Sequence, residues 1–153
     1  MIEVYTDGAR RGNPSIPAPA SWAMAVYING EYKGKKSGVL SIGTNNQAEL
    51  QGVIEALDWC SRHADVASNA VILTDSAYVQ NGCSSWLAGW VRRDWKTAAG
   101  GDVKNQEQWK QIYELMKKVP ANLLVKKVKG HSGNTGNDKA DAICNEELDN
   151  YGV

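Results

Sequence analysis

Apolar and polar positions alternate from the start of the chain, with Ile2, Val4 and Thr6 on one face and Glu3, Tyr5 and Asp7 on the other. A period of two in β-branched and aromatic residues predicts a strand, and Gly8 is expected to stop it. Its last side chain is then a carboxylate at the rim of a sheet. Residues 71–74 are apolar up to a final Thr, as in a strand covered on both faces, and Asp75 follows. Side by side, these strands would bring Asp7 and Asp75 to one edge. Like charges held that close need a cation between them or a shifted pKa.

The remaining pattern supplies the elements around that edge. Residues 8–19 are rich in Gly and Pro and read as a loop. Residues 22–28 alternate again and end at Asn29-Gly30, a hairpin turn, so residues 31–40 should return as a partner strand. Asn45 or Asn46 is expected to cap a helix running to about Arg62, with Glu49 in its first turn. Leu50, Val53, Ile54 and Leu57 form the apolar stripe of that helix. A strand that follows a helix implies a crossover and parallel pairing with the first strand. Residues 78–94 suggest short helical pieces with Trp86 and Trp90 on one face, and Gly100-Gly101 breaks them. A helix over 106–118, a strand over 123–128, a Gly-rich loop carrying His131 and a helix over 137–148 complete the order. The expectation is one α/β domain with a five-stranded mixed sheet, three antiparallel strands and then two parallel ones.

Composition narrows the function. A chain of 153 residues buries a core without disulfides or structural metal. No apolar run reaches membrane-spanning length. Cys60, Cys83 and Cys144 are odd in number and far apart, which indicates neither a disulfide framework nor a zinc site and fits a reducing cytoplasm. The net charge of zero hides an uneven distribution. Arg92, Arg93, Lys96, Lys104, Lys110, Lys117, Lys118, Lys126, Lys127 and Lys129 crowd the stretch before Gly130, and the tail is acidic. A polyanionic ligand held by one basic region stays compatible with overall neutrality.

Longer strings carry a resemblance to a known family. They are Tyr5-Thr6-Asp7-Gly8, Thr44-Asn45-Asn46-Gln47-Ala48-Glu49-Leu50, Thr74-Asp75-Ser76-Ala77-Tyr78-Val79, and the spaced Trp86, Trp90 and Trp95-Lys96-Thr97. Val128-Lys129-Gly130-His131-Ser132-Gly133 and Asn137-Asp138-Lys139-Ala140-Asp141 follow in order. Together they resemble type 1 ribonuclease H over nearly the whole chain. That resemblance implies a ribonuclease H-like fold with helices on both sheet faces. It implies an endonuclease that cuts the RNA strand of RNA–DNA hybrids with two Mg²⁺ ions, for which Mn²⁺ can substitute, leaving 5′-phosphate and 3′-hydroxyl ends.

The resemblance also assigns residues. Asp7 would bridge both ions, Glu49 and Asp75 would complete the leaving-group side, and Asp141 would help hold the ion that activates water. His131 would assist proton transfer or product departure. Asn13, Asn45, Asn46 and Gln47 match positions lining the minor groove, where the 2′-hydroxyl marks RNA. Thr44 and Asn105 match a pocket for a DNA-strand phosphate. Trp90 matches a DNA-facing aromatic, with a core tryptophan packed on Trp86 as the equal alternative.

Three departures stand out. Ile42 replaces an arginine common in the phosphate pocket, the Trp86–Lys104 protrusion has few lysines, and the loop at 15–20 is long. A single catalytic domain over 1–153, acting as a monomer without a separate hybrid-binding module, is expected because the catalytic strand starts at Ile2. The competing readings are another nuclease of this superfold and a module that binds hybrids without cutting them.

Overall fold

The computed structural model describes residues 1–129 and 135–153. Its central strand is the first of the five in chain order. β1 (Ile2–Arg10) pairs antiparallel with β2 (Ala20–Ile28), and β2 pairs antiparallel with β3 (Glu31–Leu40). The β2–β3 turn sits at Asn29 and Gly30, both left-handed at φ 51° and 81°, as a tight hairpin of this twist requires. On its other edge β1 pairs in parallel with β4 (Ala70–Thr74), which pairs in parallel with β5 (Leu124–Lys127). The order β3-β2-β1-β4-β5 is the five-stranded mixed sheet expected.

One expectation needs correction. Gly8 does not stop β1, because β2 continues to pair with it as far as Arg10 opposite Ala20. Only the parallel ladder stops, at Thr6 opposite Thr74. Asp7 therefore occupies a notch in the sheet, held by β2 on one side and free of β4 on the other.

Helices cover both faces. α1 (Asn45–Arg62) buries Leu50, Val53, Ile54 and Leu57 in a core with Val4, Met24, Val26 and Ile72. Each such aliphatic side chain contributes about 2 kcal/mol by leaving water. The short α2 (Ala64–Ala67) closes the crossover into β4. α3 (Ala77–Asn81), a π-helical turn at Gly82–Trp86 and α4 (Leu87–Arg92) lead to α5 (Gln106–Met116), whose Trp109 and Ile112 join the same core. α6 (Thr135–Tyr151) covers the opposite face, placing Ala140, Ile143 and Cys144 on Tyr5, Ala25, Tyr27 and Leu73. Among the described residues no helix is long and apolar enough to cross a membrane.

The start of α1 also differs from expectation. Thr44 is the N-cap, not Asn45 or Asn46: its Oγ1 accepts from Gln47 N and Gln47 Oε1 accepts from Thr44 N. This reciprocal pair satisfies two helix-end donors at once. Glu49 is the fifth helical residue, beyond the first turn, so the helix dipole gives no reason for its presence.

Candidate active site

Asp7 is only 4% exposed in its notch, and its Oδ1 accepts from Gly8 N at 2.9 Å. Gly8 lets the next acid approach. A Cβ there would lie 2.4 Å from Glu49 N and 2.5 Å from the carbonyl carbon of Ala48. The start of α1 thus rests directly on the β1 backbone. Gly52, one turn further along, repeats the contact, since its Cβ would stand 3.1 Å from the Asp7 carbonyl oxygen. The third acid, Asp75, follows β4, in a turn fixed by the Ser76 N to Thr74 Oγ1 bond of 3.1 Å.

Asp7, Glu49 and Asp75 each place a carboxylate oxygen within 4.8 Å of the others. Glu49 Oε1 is buried with no hydrogen-bond partner. Burial, and then the charges of Asp75 and Asp141, push the Asp7 carboxyl up to about 7. Burial, reinforced by Asp7 and Asp75, holds Glu49 well above the usual carboxylate range. Three acids on rigid elements share too little water and too much charge to ionise together. An all-oxygen donor set of this kind fits a hard divalent cation such as Mg²⁺, and the buried, unpartnered Glu49 oxygen is a donor atom with no hydrogen bond to give up.

The fourth expected acid stands apart. Asp141 lies half-buried on α6, outside the group of three, although its charge contributes to the shift at Asp7. Asp138 is exposed to solvent. His131 lies outside the described residues.

The expected substrate groups surround the acids unevenly. Asn45 and Asn46 are exposed beside Thr44, Arg10 and Pro14 in a cleft of about 350 Å³. Gln47 is already engaged: besides its cap bonds, its Nε2 donates to Asn105 Oδ1 at 3.4 Å. Asn105, left-handed at φ 58°, donates in turn to Tyr78 Oη at 3.2 Å, which also accepts from Trp109 Nε1 at 2.9 Å. Ile42 is 70% exposed and shares a groove of about 560 Å³ with Leu40, Gln47, Asn105 and Gln108. Asn13 Oδ1 accepts from Ser15 N and Ser15 Oγ at 3.0 and 2.9 Å, which folds the loop on itself. Trp90 is half-buried against the core, its ring 5.2 Å from Trp109 and 5.8 Å from Trp86; the exposed member of the pair is Trp86.

Nothing in the hydropathy pattern singles out Arg10 and Arg11. Arg10 Nε donates to Gly43 O at 3.0 Å and its Nη2 to Ile16 O, joining the long loop to the start of α1. A pair of arginines in an otherwise uncharged Gly/Pro loop is the signal that could have marked them.

The family model for RNase H matches residues 1–149. The chain belongs to the ribonuclease H family. It is 42% identical over 147 residues to a ribonuclease H of Francisella philomiragia, covering 96% of this chain and 90% of that protein. A ribonuclease H of Cyanothece sp. is 40% identical, covering 94% of this chain and 87% of that one. Among solved structures, RNase H1 of the archaeon Halobacterium salinarum superposes with a TM-score of 0.71 at 25% identity, covering 97% and 98% of the two chains. LC11-RNase H1, solved in complex with an RNA/DNA hybrid, shares the ribonuclease H fold with a TM-score of 0.73 at 23% identity, over 99% of each chain.

Proposed function

We propose that this ribonuclease H-family chain is an endonuclease that hydrolyses the RNA strand of RNA–DNA hybrids, leaving 5′-phosphate and 3′-hydroxyl ends. The observation that carries the reading is the convergence of Asp7, Glu49 and Asp75 with a buried, unpartnered Glu49 oxygen. Family membership supports it, as does the hybrid bound to the LC11 enzyme of like fold. Two divalent cations, Mg²⁺ with Mn²⁺ as substitute, would when bound stabilise charge on the attacking and leaving oxygens and lower the pKa of water.

In this reading Asp7 would be shared by the two ions, Glu49 and Asp75 would hold the one on the leaving-group side, and Asp141 would help hold the one that activates water. The notch at Asp7 keeps the carboxylates fixed while α1 and β2 exclude water from behind them. His131 accepts or delivers a proton, or eases product departure. Asn13, Asn45 and Asn46 face the minor groove and test for the 2′-hydroxyl. Thr44 and Asn105 meet a DNA-strand phosphate, with Gln47 bracing both and Trp90 acting through its packing on the exposed Trp86. One domain serves as a monomer in the cytoplasm, with Cys60, Cys83 and Cys144 free.

The test is cleavage of RNA–DNA, RNA–RNA and DNA–DNA duplexes with and without Mg²⁺. Cutting of the hybrid's RNA strand alone, and only with the ion, is the expected result. Hybrid binding without cleavage in Mg²⁺ or Mn²⁺ would overturn the reading in favour of a non-catalytic module, and cleavage of DNA duplexes in favour of another nuclease of the fold.

A further inference from the structure

The guanidinium of Arg11 makes four hydrogen bonds, all to the C-terminal half of α6 and the residues that follow it. Its Nη1 donates to Asp149 Oδ1 at 2.7 Å and to Val153 O at 2.6 Å; its Nη2 donates to Asn145 O at 3.2 Å and to Asn145 Oδ1 at 3.1 Å. A surface ion pair alone would be worth little. This one is different in where it grips. Asn137, Asp141, Asn145 and Asp149 recur every four residues and so line one stripe of α6. Arg11 holds the stripe one and two turns beyond Asp141, and Asn145 Nδ2 donates back to Asp141 O at 3.0 Å.

The spans agree. Four residues of extended chain carry Asp7 to Arg11, about 13 Å at the rise of a strand. Eight residues of helix carry Asp141 to Asp149, about 12 Å at the rise of a helix. α6 thus runs alongside β1 in the same direction. Near its start Gly136 lies on the Tyr5 ring, where a Cβ would come 2.1 Å from Cε1. At its far end Arg11 closes the contact. Between these two fixed points stands Asp141, the acid outside the close group of three.

We propose that Arg11 is a positioning residue for the metal centre, tying the segment after Asp7 to the stripe of α6 that carries Asp141 and so setting how near that fourth acid stands. The inference rests on the proposed role of Asp141 as a ligand. Freed from Arg11, α6 would still be held by Ser21 Oγ on Cys144 O and by Ser37 Oγ on Glu147 Oε1. Those bonds fix it to β2 and β3, not to the strand of Asp7. The helix would stay docked, with Tyr5 under its start, and the stripe beyond Asp141 would lose its tie to the segment after Asp7.

The experiment reads metal binding apart from cleavage, by the rise in melting temperature with Mg²⁺ in the absence of substrate. Arg11→Ala should need roughly tenfold more Mg²⁺ for the same rise, the lower end of what losing a group behind a metal ligand costs. Its kcat should fall at sub-saturating Mg²⁺ while KM for a hybrid holds. Arg11→Lys, which keeps the charge without the fork, should fall between Arg11→Ala and the parent; it carries the same test should Arg11→Ala not fold. Asp149→Asn should match the parent, because the bonds to Asn145 survive. In an Asp141→Asn background, Arg11→Ala should have no further effect on the Mg²⁺ requirement. A lower melting temperature with an unchanged Mg²⁺ requirement would make Arg11 merely structural and overturn the proposal. An equal effect in the Asp141→Asn background would also overturn it. If the parent fails to cut hybrids, the proposed function falls, and the Mg²⁺-linked melting still decides the role of Arg11.

Discussion

The acid notch and the groove beside Ile42 lie on opposite sides of the first turns of α1, and they are built on opposite terms. In the notch, three carboxylates are pressed together by a helix that touches the strand backbone, and one oxygen is left with no partner. In the groove, the amides of Gln47 and Asn105 bond to each other, to Thr44 and to Tyr78. The notch crowds like charges that a cation would relieve; the groove is satisfied already. In the function proposed above, chemistry falls where the chain alone is least comfortable, and recognition where it is at rest. A substrate can therefore be gripped weakly or strongly with little consequence for the acids.

The largest effect should come from removing the charge at the notch. Asp7→Asn should all but abolish hybrid cleavage while the metal-free protein melts no lower than the parent, because repulsion with Glu49 and Asp75 is relieved. Cleavage within about tenfold of the parent would break the contrast, since losing even a group behind a metal ligand costs that much. Gly8→Ala comes next. Its Cβ would meet Glu49 N at 2.4 Å, so α1 must lift from the strand. Overpacking of this kind costs about 1–3 kcal/mol, and activity should fall with it as Glu49 is displaced. Thermal melting and a Mg²⁺ titration of the variant check both halves.

The acids also set a pH dependence. The Asp7 carboxyl is raised from 3.8 to about 7 by folding, so its protonated form is favoured in the native state. That contribution to stability is complete below the unfolded value and is lost as pH rises through about 7. Denaturant melts in a chelator should show metal-free stability declining across that window. Mg²⁺ should restore it at the upper end, and Asp7→Asn should flatten the decline. A flat profile in the parent would remove the strain from the notch.

The smallest effect belongs to the groove. Ile42→Arg adds one cation beside Asn105, so hybrid binding should tighten and its salt dependence steepen by nearly one unit of slope. Tighter binding of substrate and transition state alike lowers KM and leaves kcat unchanged. KM measured at several salt concentrations checks this; an unchanged KM and slope would mean that residue 42 does not face a phosphate.

Much of this architecture is legible in the sequence, and the misses have physical causes. Alternation in residues 2–7 and the apolar run at 71–74 reveal two strands that pair with Thr6 opposite Thr74. The end of β1 is misplaced because Gly8 reads as a local breaker, whereas β2 keeps pairing through it. Thr44, Asn45 and Asn46 are all good caps, and the tie is broken by Gln47 three residues after Thr44. The close approach of α1 to β1 through Gly8 and Gly52 leaves no periodic mark, since only contact in three dimensions gives those glycines meaning. Trp86 and Trp90 are indeed neighbours, but which of them meets water depends on Trp109, nineteen residues further along the chain from Trp90.

The placement of β1 has a consequence for the order of synthesis. β1 becomes the middle of the sheet, and although β2 follows it directly, its other partners arrive late: β4 some seventy residues on, α6 later still. Until then one edge of β1 and one face of the young sheet stay open. The acids at 7, 49, 75 and 141 are spread over the same interval. A nascent chain thus carries the first three long before the helix of the fourth can dock. The finished fold is the earliest point at which the charge of Asp141 reaches Asp7.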